Sequence, residues 1–160
     1  MPRIAARAYW ASTEELYPLY FKVHRQLFKI FNVPYDAKEP QLAADIYDLI
    51  TEELYNKYPG DVETAVFYSL AVLATADLND KSYNKQKKSG KILEKLFETN
   101  PNHPGIAHYI IHNYDSPELA HLALNTARKY AVIAPASAHA QHMPSHIFTR
   151  LGLWNESIKS

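Results

Sequence analysis

Histidine spacing is the chemistry written most plainly into this chain of 160 residues. His108 and His112 stand four apart in HYIIH, and His142 and His146 stand four apart in HMPSH, thirty-four residues further on. A spacing of four puts both side chains of a pair on one face of a helix. Thirty-four residues is the length of a helix–turn–helix repeat unit, so the two pairs are expected on equivalent helices of adjacent units. Packed helices lie about 8–10 Å apart, so facing pairs can converge on one ion at metal–nitrogen distances of about 2.0–2.1 Å. His139 and Asp115 fall on the same stripes, as further ligands or as partners behind them. The chain has no cysteine, so any metal is held by nitrogen and oxygen; neutral imidazole suits zinc, copper or iron.

The rival to a metal is a hydrogen-bonded polar seam, in which the same histidines pair with Tyr109, Tyr114, Asp115 or backbone carbonyls. A catalytic metal would in addition need an open coordination position and a base. HYIIH carries Tyr109 where zincin helices carry a glutamate, so a zincin-like protease is unsupported. Asp115 and Glu118 remain as candidate bases, with Tyr114 and Arg150 as candidate substrate or oxyanion contacts. Asp115 and Ser116 also have an ordinary role open to them, capping the next helix with Pro117 in its first turn. His103 is expected at a helix start, His121 on a second helix facing away from the cluster, and His24 in a packing or surface role.

Helical periodicity dominates the segments that must position these residues. Ser12 with Glu15 has the form of a capping box, followed by an apolar stripe from Leu16 to Phe31. Residues 32–40 read as a loop, and a second helix is expected from Gln41 to Tyr58 with Leu42, Ile46, Leu49, Ile50 and Leu54 inward. Pro59, Pro101 and Pro135 each follow one helical segment and precede another. The last two are thirty-four apart and the first two forty-two, which places an insertion in NDKSYNKQKK. The small residues Ser89, Gly90, Ala123 and Ser157 stand where paired helices need close approach. Pro144 removes a backbone donor and disfavours helix at Met143, so a break is expected there.

With these segments in view, the chain resembles the tetratricopeptide repeat family over roughly residues 41–160. LGLWNESI, from Leu151 to Ile158, looks like that family's turn between the two helices of a repeat. HPGIAHYIIHNYD and HMPSHIFTRLGLW look like a bacterial group of such proteins, although Glu118 stands where a turn glycine is usual. The resemblance implies an all-α fold of antiparallel helix pairs stacked in a right-handed superhelix. It further implies that the first helices line a concave face, carrying His108, His112, Asp115, His139, His142, His146 and Arg150. One domain over 1–160 is expected, with an N-terminal helical segment (1–58) and repeats at about 59–100, 101–134 and 135–160, the last incomplete.

Lys+Arg and Asp+Glu are both 17, a balance that gives no support to a nucleic-acid or membrane partner. The run Lys81, Lys85, Lys87, Lys88, Lys91 reads as a solvated helix face or loop. No phosphate loop, dinucleotide fingerprint or serine elbow is present, so no nucleotide cofactor is expected. The start lacks the apolar stretch of an export signal, which makes the cytoplasm the expected compartment unless such a signal lies outside this sequence. The functional expectation is a histidine-lined groove that binds a transition metal ion. The alternative is a protein-interaction scaffold taking a peptide or partner chain in that groove without metal, and the remoter one a metal-dependent hydrolase. Self-association through the incomplete last repeat is a further expected partnership.

Overall fold

A computed structural model describes residues 40–77 and 79–160, with side chains from Asp45 onward except Ile46; the described part lies almost wholly in a compact unit of residues 44–160. The expected first helix with His24, the loop after it, and the Leu42 and Ile46 side chains lie outside the described residues.

The described chain is all-helical, with no strand. Its elements are α1 (Pro40–Lys57), α2 (Val62–Ala74), α3 (Asn84–Thr99), α4 (Pro104–Asn113), α5 (Ala120–Ile133), α6 (Ala138–His142), α7 (Pro144–Arg150) and α8 (Trp154–Lys159). Local chemistry sets the starts. Asp61 accepts from the Thr64 N–H at 2.6 Å to cap α2. His103 caps α4 through Nδ1, which accepts from the Ile106 N–H, and Pro104 occupies the first turn, where its missing donor costs nothing. Ser137 caps α6 in the same way. Gly152, with φ of +70°, ends the turn from α7 into α8 in the left-handed region that glycine adopts freely.

The punctuation fits the sequence reading: α4 begins at 104 and α6 at 138, thirty-four on, whereas α2 begins at 62, forty-two before α4. The extra residues are shared: α2 is three residues longer than α4, the connection that follows it three longer than that after α4, and α3 two longer than α5. Pro144 does divide its helix. Met143 keeps helical dihedrals (φ −55°, ψ −38°), but α6 stops at His142 and α7 restarts at Pro144.

Successive helices from α2 to α5 pack on one another; α5 then packs on α6 and α7, and α7 on α8. Helix α4 also touches α2 on one side and α7 on the other. Ile106, Ile110 and Ile111 of α4 lie in the centre with Leu93, Ala123, Ala127, Met143 and Ile147 around them, all essentially without solvent contact. Helix α4 therefore has a fixed rotation, which decides where its histidines point. Gly90 helps to set it: a Cβ there would collide with the Tyr114 hydroxyl, so only glycine admits the tyrosine that ends α4. Of the residues expected inward on α1, Ile50 is buried and Leu54 half-buried, but Leu49 is 65 % exposed. Buried Thr51 takes the neighbouring position, its hydroxyl donating to the Tyr47 carbonyl at 2.7 Å.

Candidate metal centre

His108, His112 and His139 come together. Each offers one ligand atom, and these atoms lie within 4.8 Å of one another. Helix α4 supplies two of the three, one turn apart, and α6 supplies the third. Ring centres of His108 are 4.6 Å from His112 and 5.0 Å from His139. His108 is only 4 % exposed, His112 is half-buried and His139 is at the surface, so the cluster runs from core to solvent.

Burial is the main cause pushing all three imidazoles toward the neutral form, and each neighbouring histidine adds to it, because a second positive charge there would be repelled. His108 is lowered to about 3 and His112 to about 4, while His139 is lowered as well. Neutral imidazole is the ligating form, so protons do not compete for these nitrogens near pH 7. Tyr130, which the spacing argument missed, places its hydroxyl 3.2 Å from His108 Nδ1. That contact fixes the ring's rotation and leaves Nε2 as the other candidate ligand atom, the arrangement common behind metal-bound histidine. Tyr109 meets His108 edge-on, with ring centres 5.5 Å apart.

His142 and His146 stand beside this trio as a pair of their own. Their Nε2 atoms are 3.1 Å apart, and the helix break between them does not separate them. His146 Nδ1 lies 3.1 Å from Asp115 Oδ2, and Arg150 Nε donates to Asp115 Oδ1 at 2.8 Å. Burial would raise the Asp115 carboxyl, but the hydrogen bonds from His146 and Arg150 outweigh it and hold the group at about 2. An ionised carboxylate only accepts, so His146 Nδ1 carries the proton and its Nε2 presents a lone pair when the ring is neutral.

Tyr114 departs from expectation, and Asp115 is found behind a histidine and not in its alternative capping role. Tyr114 is buried on another side of its helix, donating to Glu94 Oε1 at 2.7 Å and packed over Gly90. It follows His112 by two residues, a step of about 200° around a helix, and that signal was legible in the sequence. Asp115 and Ser116 do not cap α5 with their side chains: Asp115 is taken up by His146 and Arg150, and α5 begins at Ala120 without a side-chain cap. Glu118 is exposed. His103 starts α4 as expected and adds a contact of 3.2 Å to Glu63, and His121 is exposed on α5.

Three lysines of the run make defined contacts. Lys88 pairs with Glu52 at 3.1 Å and lies over the Tyr68 ring, Lys85 reaches Asp48 and Thr75, and Lys87 bonds the Ser82 carbonyl. No described helix is long and apolar enough to cross a membrane. Compared with known proteins, the chain matches no family model, no curated protein and no solved structure.

Proposed function

We propose that this is a tetratricopeptide-type helical repeat protein whose histidine cluster binds a transition metal ion through His108, His112 and His139. The observation that carries the reading is the convergence of three imidazoles, from two helices, on a space 4.8 Å across. Two imidazole nitrogens on a tetrahedral zinc ion are about 3.3 Å apart, so closure needs only small rotations of the rings. The repeat reading draws its support from the thirty-four-residue recurrence of capped helix starts and from the serial contacts of α2, α4 and α7.

The electrostatics favour a cation over the bare polar seam. Burial and the neighbouring imidazoles oppose protonation, so the cluster gathers several neutral, ligating rings in one place. A divalent ion would be bound by several of them at once. An all-nitrogen set with water as a remaining ligand suits zinc, copper or iron. When bound, the ion would supply Lewis acidity or an activated water, and the partly open side at His139 would give access to it.

The test is elemental analysis of tag-free protein after dialysis with zinc, beside His108→Ala and His139→Ala. About one ion at this site, lost in both variants while helicity persists, is the expected result. His139 is at the surface, so its variant folds even if truncation of buried His108 does not. Metal content unchanged by His139→Ala overturns the assignment. Absence of metal after zinc, copper and iron loading overturns it too, leaving the groove as a surface for another protein.

A further inference from the structure

The five clustered histidines are not equally close to one another. Ring centres within the trio are 4.6 and 5.0 Å apart for the two pairs that include His108, and those of His142 and His146 are 5.0 Å apart. The steps across, His112 to His146 and His139 to His142, are 6.3 and 6.5 Å. Two imidazoles on one tetrahedral zinc ion have ring centres about 5 Å apart, given metal–nitrogen distances of about 2.0–2.1 Å. The distances from His108 to its two neighbours and from His142 to His146 match that figure, and the two steps across exceed it.

We infer that the cluster holds two metal stations, and that His142 and His146 form the second, an open zinc-type site chelated through both Nε2 atoms. This rests on the proposal that the trio binds the first ion. The two Nε2 atoms are 3.1 Å apart, against about 3.3 Å for two nitrogens on one tetrahedral ion, so the chelating pair is already at its working spacing. Asp115 supports it from behind. Its carboxylate accepts a hydrogen bond from the His146 Nδ1–H and fixes the ring, which leaves Nε2 as the ligating nitrogen, while Arg150 holds the carboxylate from its other oxygen. Only the His142 ring must change, moving its proton from Nε2 to Nδ1 as the ion replaces its hydrogen bond to His146. Two protein ligands leave the remaining positions to water, and His142 and Arg150 are exposed, so the second ion would be reachable by an anionic or carbonyl-bearing ligand.

The deciding experiment is equilibrium dialysis of the tag-free protein against zinc, followed by zinc and protein determination, for the parent chain, His142→Ala and His139→Ala. Both substituted residues are exposed, and circular dichroism confirms that helicity is kept. The expected result is two ions in the parent and one in each variant. In addition, Asp115→Asn should weaken the ion lost in His142→Ala by about 10–100-fold, the usual effect of removing a partner behind a metal ligand. One ion in the parent, lost in His139→Ala and kept in His142→Ala, overturns the second station and leaves the first standing. One ion weakened in both variants also overturns it, because all five histidines then serve one site. One ion lost only in His142→Ala, or none at all, overturns the assignment of the trio and the two-station inference with it.

Discussion

Two polar seams among the described residues are built on opposite logic. Between α1, α2 and α3, acids meet bases: Glu52 takes hydrogen bonds from Tyr68 and Lys88, and Lys85 reaches Asp48 and Thr75. Every charge there has its complement, and the Lys88–Glu52 pair is about half exposed on both sides. Between α4, α6 and α7, five imidazoles meet with a single carboxylate at their edge. The first seam pairs opposite charges and reads as helix-to-helix attachment, although Asp48 Oδ1 is buried without a hydrogen bond. The second is made of like groups whose charging is opposed by burial and by one another, which is the ground for proposing a cation there. Polarity alone would not have separated them; the complementarity of the partners does.

The largest effect that would sharpen this contrast is stabilisation by metal. A ligand that binds only the folded state at a hundred times its dissociation constant adds about 2.7 kcal/mol, which is about 5–10 °C in Tm for a chain of this size. Zinc should raise the melting temperature of the parent by that order, and of a Lys88→Met variant equally, but should raise that of His139→Ala less, by only what an ion at the His142–His146 pair supplies. A zinc shift abolished by Lys88→Met would erase the distinction between the seams.

Gly90→Ala probes how the histidine helix is held from another side. The added methyl group meets the Tyr114 hydroxyl and the Asn113 amide, and buried Asn113 donates to the Gln86 carbonyl at 2.8 Å in the same contact. Overpacking of this kind costs about 1–3 kcal/mol. We expect a lower Tm and weaker zinc binding together, because moving Tyr114 rotates α4. If zinc affinity is untouched while stability falls, the trio is set by α4's contacts with α5 and α6 instead.

Acid should act on the histidine seam first. His108 and His112 are held below the ordinary histidine value, at about 3 and about 4, so between pH 6.5 and those values the unfolded chain binds more protons than the folded one. Stability contributed by keeping them neutral is complete above about 6.5 and is lost as pH falls. At pH 5.5 the loss is about 1 kcal/mol for each such imidazole. Asp115, held at about 2, adds a separate loss only below about 3.8. Urea midpoints of metal-free protein should therefore fall from pH 7 to 5.5, and the fall should be smaller in His112→Gln. A flat profile over that range would show the imidazoles to be solvated.

Much of this arrangement was legible in the sequence, but unevenly. Spacing of four gave the pairs, and proline spacing gave the helix starts at 104 and 138 and the break at Pro144. What period could not give was offset along the axis. Thirty-four residues relate His108 to His142 as equivalents, yet the ring brought against His108 is His139, thirty-one residues on, and Asp115 meets His146 at the same interval. Equivalent residues in two repeats share an environment; which of them touch depends on tilt and slide between helices, set by core residues such as Met143 and Ile147. Tyr130 was hidden for a related reason. It lies on α5, and nothing in its local pattern marks the packing that carries its hydroxyl to His108.

The smallest expected effect belongs to the acid–base seam. Exposed ion pairs contribute about 0.2–1 kcal/mol, because solvent screens the charges and two long side chains lose freedom in pairing. A double-mutant cycle with Glu52→Gln and Lys88→Met measures that coupling directly, and we expect it within this range. Tyr68 complicates the reading, since it donates to the same carboxylate while its ring lies 5.1 Å from the Lys88 ammonium. Repeating the cycle with Phe at position 68 in place of Tyr68 should reduce the coupling only slightly if the pair itself supplies it. A coupling of several kcal/mol that vanishes with the hydroxyl would make this seam a cooperative network as demanding as the histidine one, and the difference between the two would then lie only in what each can bind.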